Sequence, residues 1–319
     1  MLKLFRTDII AQALIILAVM LLMWVKYFIH PMPIPVDGGG PIFFWLTGWM
    51  TPRIGTITAF LLIIVEGLFV NMMLYRYKLI SQNTLMPMLF FVLAMSLYPP
   101  TLSPMVIGTI FLIIGISQMM LTSTLLSLPI DKVFSSTALL SLATLICPYM
   151  AVFFVPLVLN MFNYSLYSWR DWAMFVMGML APYLLVETIY FITDELFYRN
   201  YLLLYDFTNL HFSFKGNWIE WAASASFAIL FLVGLVSSIM NSQNRTVNYK
   251  NNITALMVFT IGSLLYSVYT DFVPLQSQAF ALPFACSMTT LFAPPQRKEF
   301  FRNLLFMLIV AAAIILNVI

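Results

Sequence analysis

"IIAQALIILAVMLLMWVKYFI", residues 9–29, carries no charge before Lys26. The run exceeds the roughly 7–15 apolar residues of a signal-peptide core, and no small-x-small cleavage site follows it. About 20 residues at 1.5 Å rise cross the hydrocarbon layer of a bilayer. The stretch therefore reads as a retained first transmembrane helix. The whole chain agrees: of 319 residues, 62% are hydrophobic and 8% charged, against about 25% charged in soluble domains. No soluble fold hides that much apolar surface, so the solvent is lipid.

Working outward, eleven apolar segments follow one another, roughly 9–29, 54–73, 84–98, 105–121, 133–148, 149–163, 172–192, 221–240, 253–269, 273–292 and 304–319. The expected fold is all-α, a polytopic transmembrane helical bundle of roughly nine to eleven segments. It forms one integral-membrane domain over 1–319, with its two longest loops at about 30–53 and 193–220. Segments three to six and the last are short for a crossing.

Lys and Arg orient the bundle. With the N-terminus in the cytoplasm, Lys3, Arg6, Arg76, Lys78, Lys132, Arg170, Arg245, Lys250, Arg297, Lys298 and Arg302 fall inside. Only Lys26, Arg53, Arg199 and Lys215 fall outside. All seven tryptophans (Trp24, Trp45, Trp49, Trp169, Trp172, Trp218 and Trp221) are expected at membrane boundaries, where an indole has an apolar body and a wet donor. Asp37, Asp194, Glu195, Asp206, Glu220 and Asp271 lie outside, with Glu187 in the outer part of segment seven. The extracytoplasmic side is therefore the acidic one.

A faint internal echo pairs "LAMSLYP", 93–99, with "LATLICP", 142–148. Each proline should end its helix, having no N–H to donate. The hairpins 84–121 and 133–163 would then be related. Cys147 and Cys286 read as core residues, and two histidines without a His/Cys cluster argue against zinc or haem. No phosphate loop or basic run for nucleic acid is present.

Three places carry chemistry-bearing residues. In "HPMPIPVDGGGPIFFWLTGWM", 30–50, alternating prolines make a stiff arm and the glycines let the backbone turn or approach closely. Asp37 stands between them, ahead of an interfacial aromatic helix. It is either a loop acid clearing the lipid or an acid at the mouth of a cavity. In segment seven Glu187, Tyr190, Asp194 and Tyr198 follow helical steps of three and four, so they share a face. Glu195 adjoins that face. In "HFSFK", 211–215, His211, Ser213 and Lys215 alternate with phenylalanines, which offers one face to an anion or to water. Third, Glu66 is a carboxylate deep in an apolar run. It is expected to be protonated or hydrogen-bonded within the bundle, with Asn71 and Asn160 as partners.

"NTLMPMLFFVLAMSLYP", the two short hairpins and "YSWRDWAMFVMGMLAPYLLVETIYFITD" resemble a group of Gram-negative bacterial polytopic integral-membrane proteins of unknown function. The resemblance implies a multi-pass protein of the bacterial inner membrane and no particular activity. The wider layout is similar to the GT-C glycosyltransferases, which transfer sugar from a polyprenyl-phosphate carrier outside the membrane. They place an acid in the first extracytoplasmic loop, where Asp37 stands here. Many of them have two neighbouring acids there, whereas this loop has one.

That similarity implies Asp37 as general base. Glu187, Tyr190, Asp194, Glu195 and Asp271 would line the substrate site, and Arg199, His211 and Lys215 would neutralise the carrier's phosphate. The chain's own residues call for no cofactor, and the similarity leaves room for a divalent cation. Expected partners are the bilayer, a polyprenyl-phosphate lipid and other envelope membrane proteins, with no nucleic acid. The alternatives are a non-catalytic subunit of an envelope secretion or assembly complex, and a transporter using Glu66 and Glu187.

Overall fold

The computed structural model describes residues 9–35, 38–80, 84–96, 101–122, 130–193, 229, 231–240, 242, 245–269 and 278–292. All regular structure among them is helical. Helix α1 is Ile9–Ile29, with the bounds its apolar run sets. Next come α2 (Pro41–Thr47), α3 (Pro52–Arg76), α4 (Met86–Ser96), α5 (Pro104–Leu121) and α6 (Ile130–Ile146). A 3-10 turn, Pro148–Phe153, leads into α7 (Phe154–Asn163). The rest are α8 (Trp169–Ile192), α9 (Phe231–Met240), α10 (Val247–Tyr269) and α11 (Ala281–Phe292), the last entered through a 3-10 turn at Gln278–Phe280.

Local chemistry sets these bounds. Pro41, Pro52 and Pro104 each occupy a first helical turn, where a missing N–H costs nothing. Thr51 and Ser103 cap α3 and α5, accepting from the amides of Ile54 and Val106. Ser168 and Asp171 form a reciprocal capping box at the start of α8. Ser168→Ala is expected to destabilise the protein by about 1 kcal/mol; thermal unfolding in detergent with an unchanged midpoint would contradict that. At the end of α3, Lys78 adopts a left-handed φ of 54°. Leu79 N–H reaches back to Leu74 O at 3.0 Å, the closure of a Schellman cap. Tyr77 there donates to the Ser117 carbonyl on α5. Burial raises its phenol above the ordinary value, opposed by the Ser117 contact and by Arg76.

Among the described residues four helices are long and apolar enough to cross a membrane: α1, α3, α5 and α8. Segment four starts one residue earlier than its apolar run, at Pro104, and reaches 18 residues, a thin span. The last expected segment, 304–319, lies outside the described residues. The exterior is apolar, with Ile10 78%, Leu184 62% and Phe191 74% exposed. Hydrocarbon rather than water suits such a surface. α8 buries only Asp171, Phe175, Gly178 and Pro182.

The short helices α4 and α11 lie inside. Every residue of α4 except Ala94 is buried, against α11, α3 and α1. Phe90 meets the rings of Phe284 and Phe292 of α11 at 6.3 and 5.5 Å between centroids. Trp24 is a correction to the boundary expectation. It is fully buried and donates to Ser96 at 3.1 Å, so its N–H is satisfied by protein. Trp45, Trp49 and Trp169 are exposed; Trp218 and Trp221 lie outside the described residues. Both cysteines are buried and free. The two hairpins differ: the first pairs an 11-residue helix with an 18-residue one, the second a 17-residue helix with a 3-10 turn and a 10-residue helix.

Small residues bring the helices together, as in membrane interiors generally. Gly115 of α5 faces the Ser136 carbonyl, and Ser136 Oγ donates to Gly115 O at 2.8 Å. Gly178 of α8 lies against Thr137 and Phe134 of α6. Further along the same contact, Ser141 donates to Met179 O at 2.7 Å, and the Thr144 and Tyr183 hydroxyls are 2.7 Å apart. As residue numbers rise on α6 they rise on α8, so the two helices run parallel.

Candidate functional site

Of the residues expected to carry chemistry, Glu187 and Tyr190 are among those described, and their helix packs along α6 toward its C-terminal end. Pro148 stops α6, since it has no N–H for the carbonyl four residues back; the last α-type bond is Cys147 N–H to Ala143 O at 2.8 Å. The Ile146 carbonyl then accepts from Gly40 N–H at 2.7 Å. Gly40 is pressed onto the Leu145 carbonyl group, whose carbon would lie 2.8 Å from an added Cβ. Gly38 has φ +72°, and a Cβ there would come within 2.5 Å of Tyr149 Cε2. Two of the three glycines are thus explained: one needs the left-handed region, the other a bare approach to backbone. The arm that bears Asp37 is seated on the broken end of α6, with α2 packed beside it. Asp37 itself lies outside the described residues.

α8 supplies the second wall. Tyr183 faces Thr144 of α6. Four residues on, Glu187 continues the same face past the point where α6 has ended, and Tyr190 follows after three. Both are half-buried. The shared face expected of Glu187 and Tyr190 is therefore present. It points along the line of α6, toward the level of Pro148, Tyr149 and the Gly38–Gly40 turn. Asp194, Glu195, Arg199, His211, Lys215 and Asp271 lie outside the described residues. Sequence reasoning missed Tyr149, Tyr183 and Thr144. Tyr183 stands one helical step ahead of Glu187, so extending the stripe backward would have found it. Tyr149 has no such signal beyond its place after the helix-ending proline.

Chemically, this end of the bundle offers a half-buried carboxylate, phenol rings and a glycine turn seated on the end of α6. Aromatic faces with a carboxylate suit a polyhydroxylated ligand, whose hydroxyls donate to the carboxylate and whose C–H faces pack on rings. Among the described residues no group of three or more His, Cys, Asp or Glu is placed to hold a metal ion.

Two other polar features lie away from this end. A narrow pocket between the end of α3 and α9–α11 has a volume of about 20 Å³, room for a water molecule. Its wall is mostly apolar, with Ser238 and Thr290 in hydrogen-bond contact. Glu66 is wholly enclosed, and neither carboxyl oxygen has a hydrogen-bond partner among the described residues. The expected pairing with Asn71 and Asn160 is corrected. Asn160 is on α7 and donates to Ala255 O of α10 at 3.3 Å. Asn71 follows Glu66 by five residues, about 140° round the helix.

Comparison of the chain with family models, with curated proteins and with solved structures gives no match. Among the described residues the protein is helical, with four apolar helices of membrane-crossing length.

Proposed function

We propose that this is a multi-pass protein of a bacterial inner membrane, with its N-terminus in the cytoplasm. At its extracytoplasmic face it would transfer a sugar from a polyprenyl-phosphate carrier. The observation that carries this reading is the seating of the Gly38–Gly40 turn on the end of α6, beside the face that Glu187 extends. Asp37, adjoining that turn, takes the proton from an acceptor hydroxyl. The acceptor oxygen attacks the anomeric carbon as the bond from that carbon to the phosphate oxygen breaks, and the carrier phosphate leaves with the electron pair. Arg199, His211 and Lys215 balance its charge, and Glu187 with Tyr190 holds sugar hydroxyls. Because the carrier brings its own leaving group, the protein mainly positions reactants and stabilises charge.

The test is transfer from a labelled polyprenyl-linked sugar in membranes carrying the full chain. Asp37→Asn should lower turnover by roughly 10²–10⁴-fold, the range for a general base, at unchanged expression. Transfer that survives the substitution rules out this mechanism. One observation favours a second reading, that of a subunit in an envelope assembly. Only 17% of the apolar window of α8 is buried, which leaves a long flank for another membrane protein. Stoichiometric recovery of a partner after gentle extraction, together with indifference to Asp37→Asn, would favour it.

A further inference from the structure

Glu66 is the most deeply placed ionisable group in the described helices. It sits near the middle of a 25-residue apolar helix with no exposed surface. Its direction follows from its neighbours on the same stripe. Gly55, Glu66 and Tyr77 are each eleven residues apart, three helical turns and about 20°, so they line one side of α3. At one end of this stripe a Cβ on Gly55 would meet Leu102 Cβ at 3.8 Å. At the other, Tyr77 donates to Ser117 O. Leu102 precedes α5 and Ser117 lies in its second half, so the stripe runs beside α5. Thr109 and Ile110 lie midway between them.

The buried positions Leu102, Val106, Thr109 and Ile113 recur at steps of four, three and four, which puts Thr109 on the α5 side that meets α3. Thr109 spends its one hydroxyl proton within its own helix, donating to Met105 O at 2.7 Å. Thr109 thus has no proton to give Glu66, and the two are not in hydrogen-bond contact.

Among the described residues, the helices packed beside this stripe carry no compensating charge. α4 and α5 have no charged residue at all, and α1 has only Lys26, which is exposed and near its far end. On its own helix Arg53 and Arg76 stand at the two ends, about 20 and 15 Å away along the axis at 1.5 Å per residue. A carboxylate enclosed without a donor or cation is among the costliest groups in a protein interior. A sodium ion would need a shell of several oxygens, whereas a proton needs only the carboxyl group itself.

We propose that Glu66 is a proton-binding site enclosed between α3 and α5, holding one proton as a neutral carboxylic acid. The site is independent of the transfer reading, since it lies mid-bundle on a different pair of helices. Its proton can leave only if the α3–α5 contact admits water, so occupancy is tied to the packing of those two helices.

The test is infrared spectroscopy of the full chain, purified in detergent at neutral pH in D₂O. Wild type minus Glu66→Gln should show one carbonyl stretch of a protonated carboxylic acid, absent from the variant. Should Glu66→Gln fail to fold, ¹³C-glutamate labelling of the wild type replaces it, with one acid band expected to shift. Carboxylate stretches in place of the acid band, whether or not sodium alters them, would overturn the proposal.

Discussion

Gly178→Leu is expected to separate α8 from α6 and to leave a protein that unfolds far below the wild-type temperature. Gly178 lies at the start of the polar seam between these helices. A Cβ there would meet the Thr137 hydroxyl oxygen and come within 2.7 Å of the Phe134 carbonyl oxygen. The first could swing away, but the second is backbone. Overpacking in a tight interior costs roughly 1–3 kcal/mol, and this site should be at the top of that range or beyond it. The Ser141–Met179 and Thr144–Tyr183 bonds lie one and two turns further along and would be strained together. Thermal unfolding followed by intrinsic fluorescence, with size-exclusion of the solubilised protein, measures the effect. A midpoint within a degree or two of wild type would show that α8 is not held at this point.

Gly40→Val should detach the arm from the end of α6 while leaving the bundle folded. The substitution drives a side chain into the Leu145 carbonyl group and breaks the 2.7 Å bond from Gly40 N–H to Ile146 O. Leaving a buried donor and acceptor unpaired costs about 1–3 kcal/mol, and that cost falls on the arm. Limited proteolysis within 30–50 should become much faster, and the fluorescence of Trp45 and Trp49 should change. Under the transfer reading turnover falls with it, because Asp37 loses its seat. An arm as protease-resistant as the wild type's would mean that Gly40 does not anchor it.

The helices were legible in the sequence wherever composition alone decides them. α1 is bounded by its own apolar run, and the prolines at 41, 52 and 104 mark starts as their missing N–H requires. Pro148 marks a stop for the same reason. What could not be read was which helix meets which. Trp24 looks like an interfacial anchor until Ser96, seventy-two residues away, is found beneath it. Glu66 and Asn160 look like partners only because both are polar in an apolar alphabet; their distance depends on packing that no periodicity encodes. The stripe of Glu187 and Tyr190 was visible because it is local to one helix. Its continuation by Tyr183 onto Thr144, and the role of Tyr149 beneath Gly38, depend on the parallel register of α6 and α8. Steric fit between small residues such as Gly178 and Thr137 sets that register.

The burial of α4 bears on how the chain is made. Eleven residues of helix rise about 16 Å, half of the roughly 30 Å hydrocarbon layer, so α4 cannot partition into lipid as an independent span. Its main cover, α11, emerges from the ribosome only after nearly two hundred further residues. Biogenesis must therefore hold an unfinished core beside α3 through most of translation, and nascent chains halted before α11 should be those that membrane quality control removes.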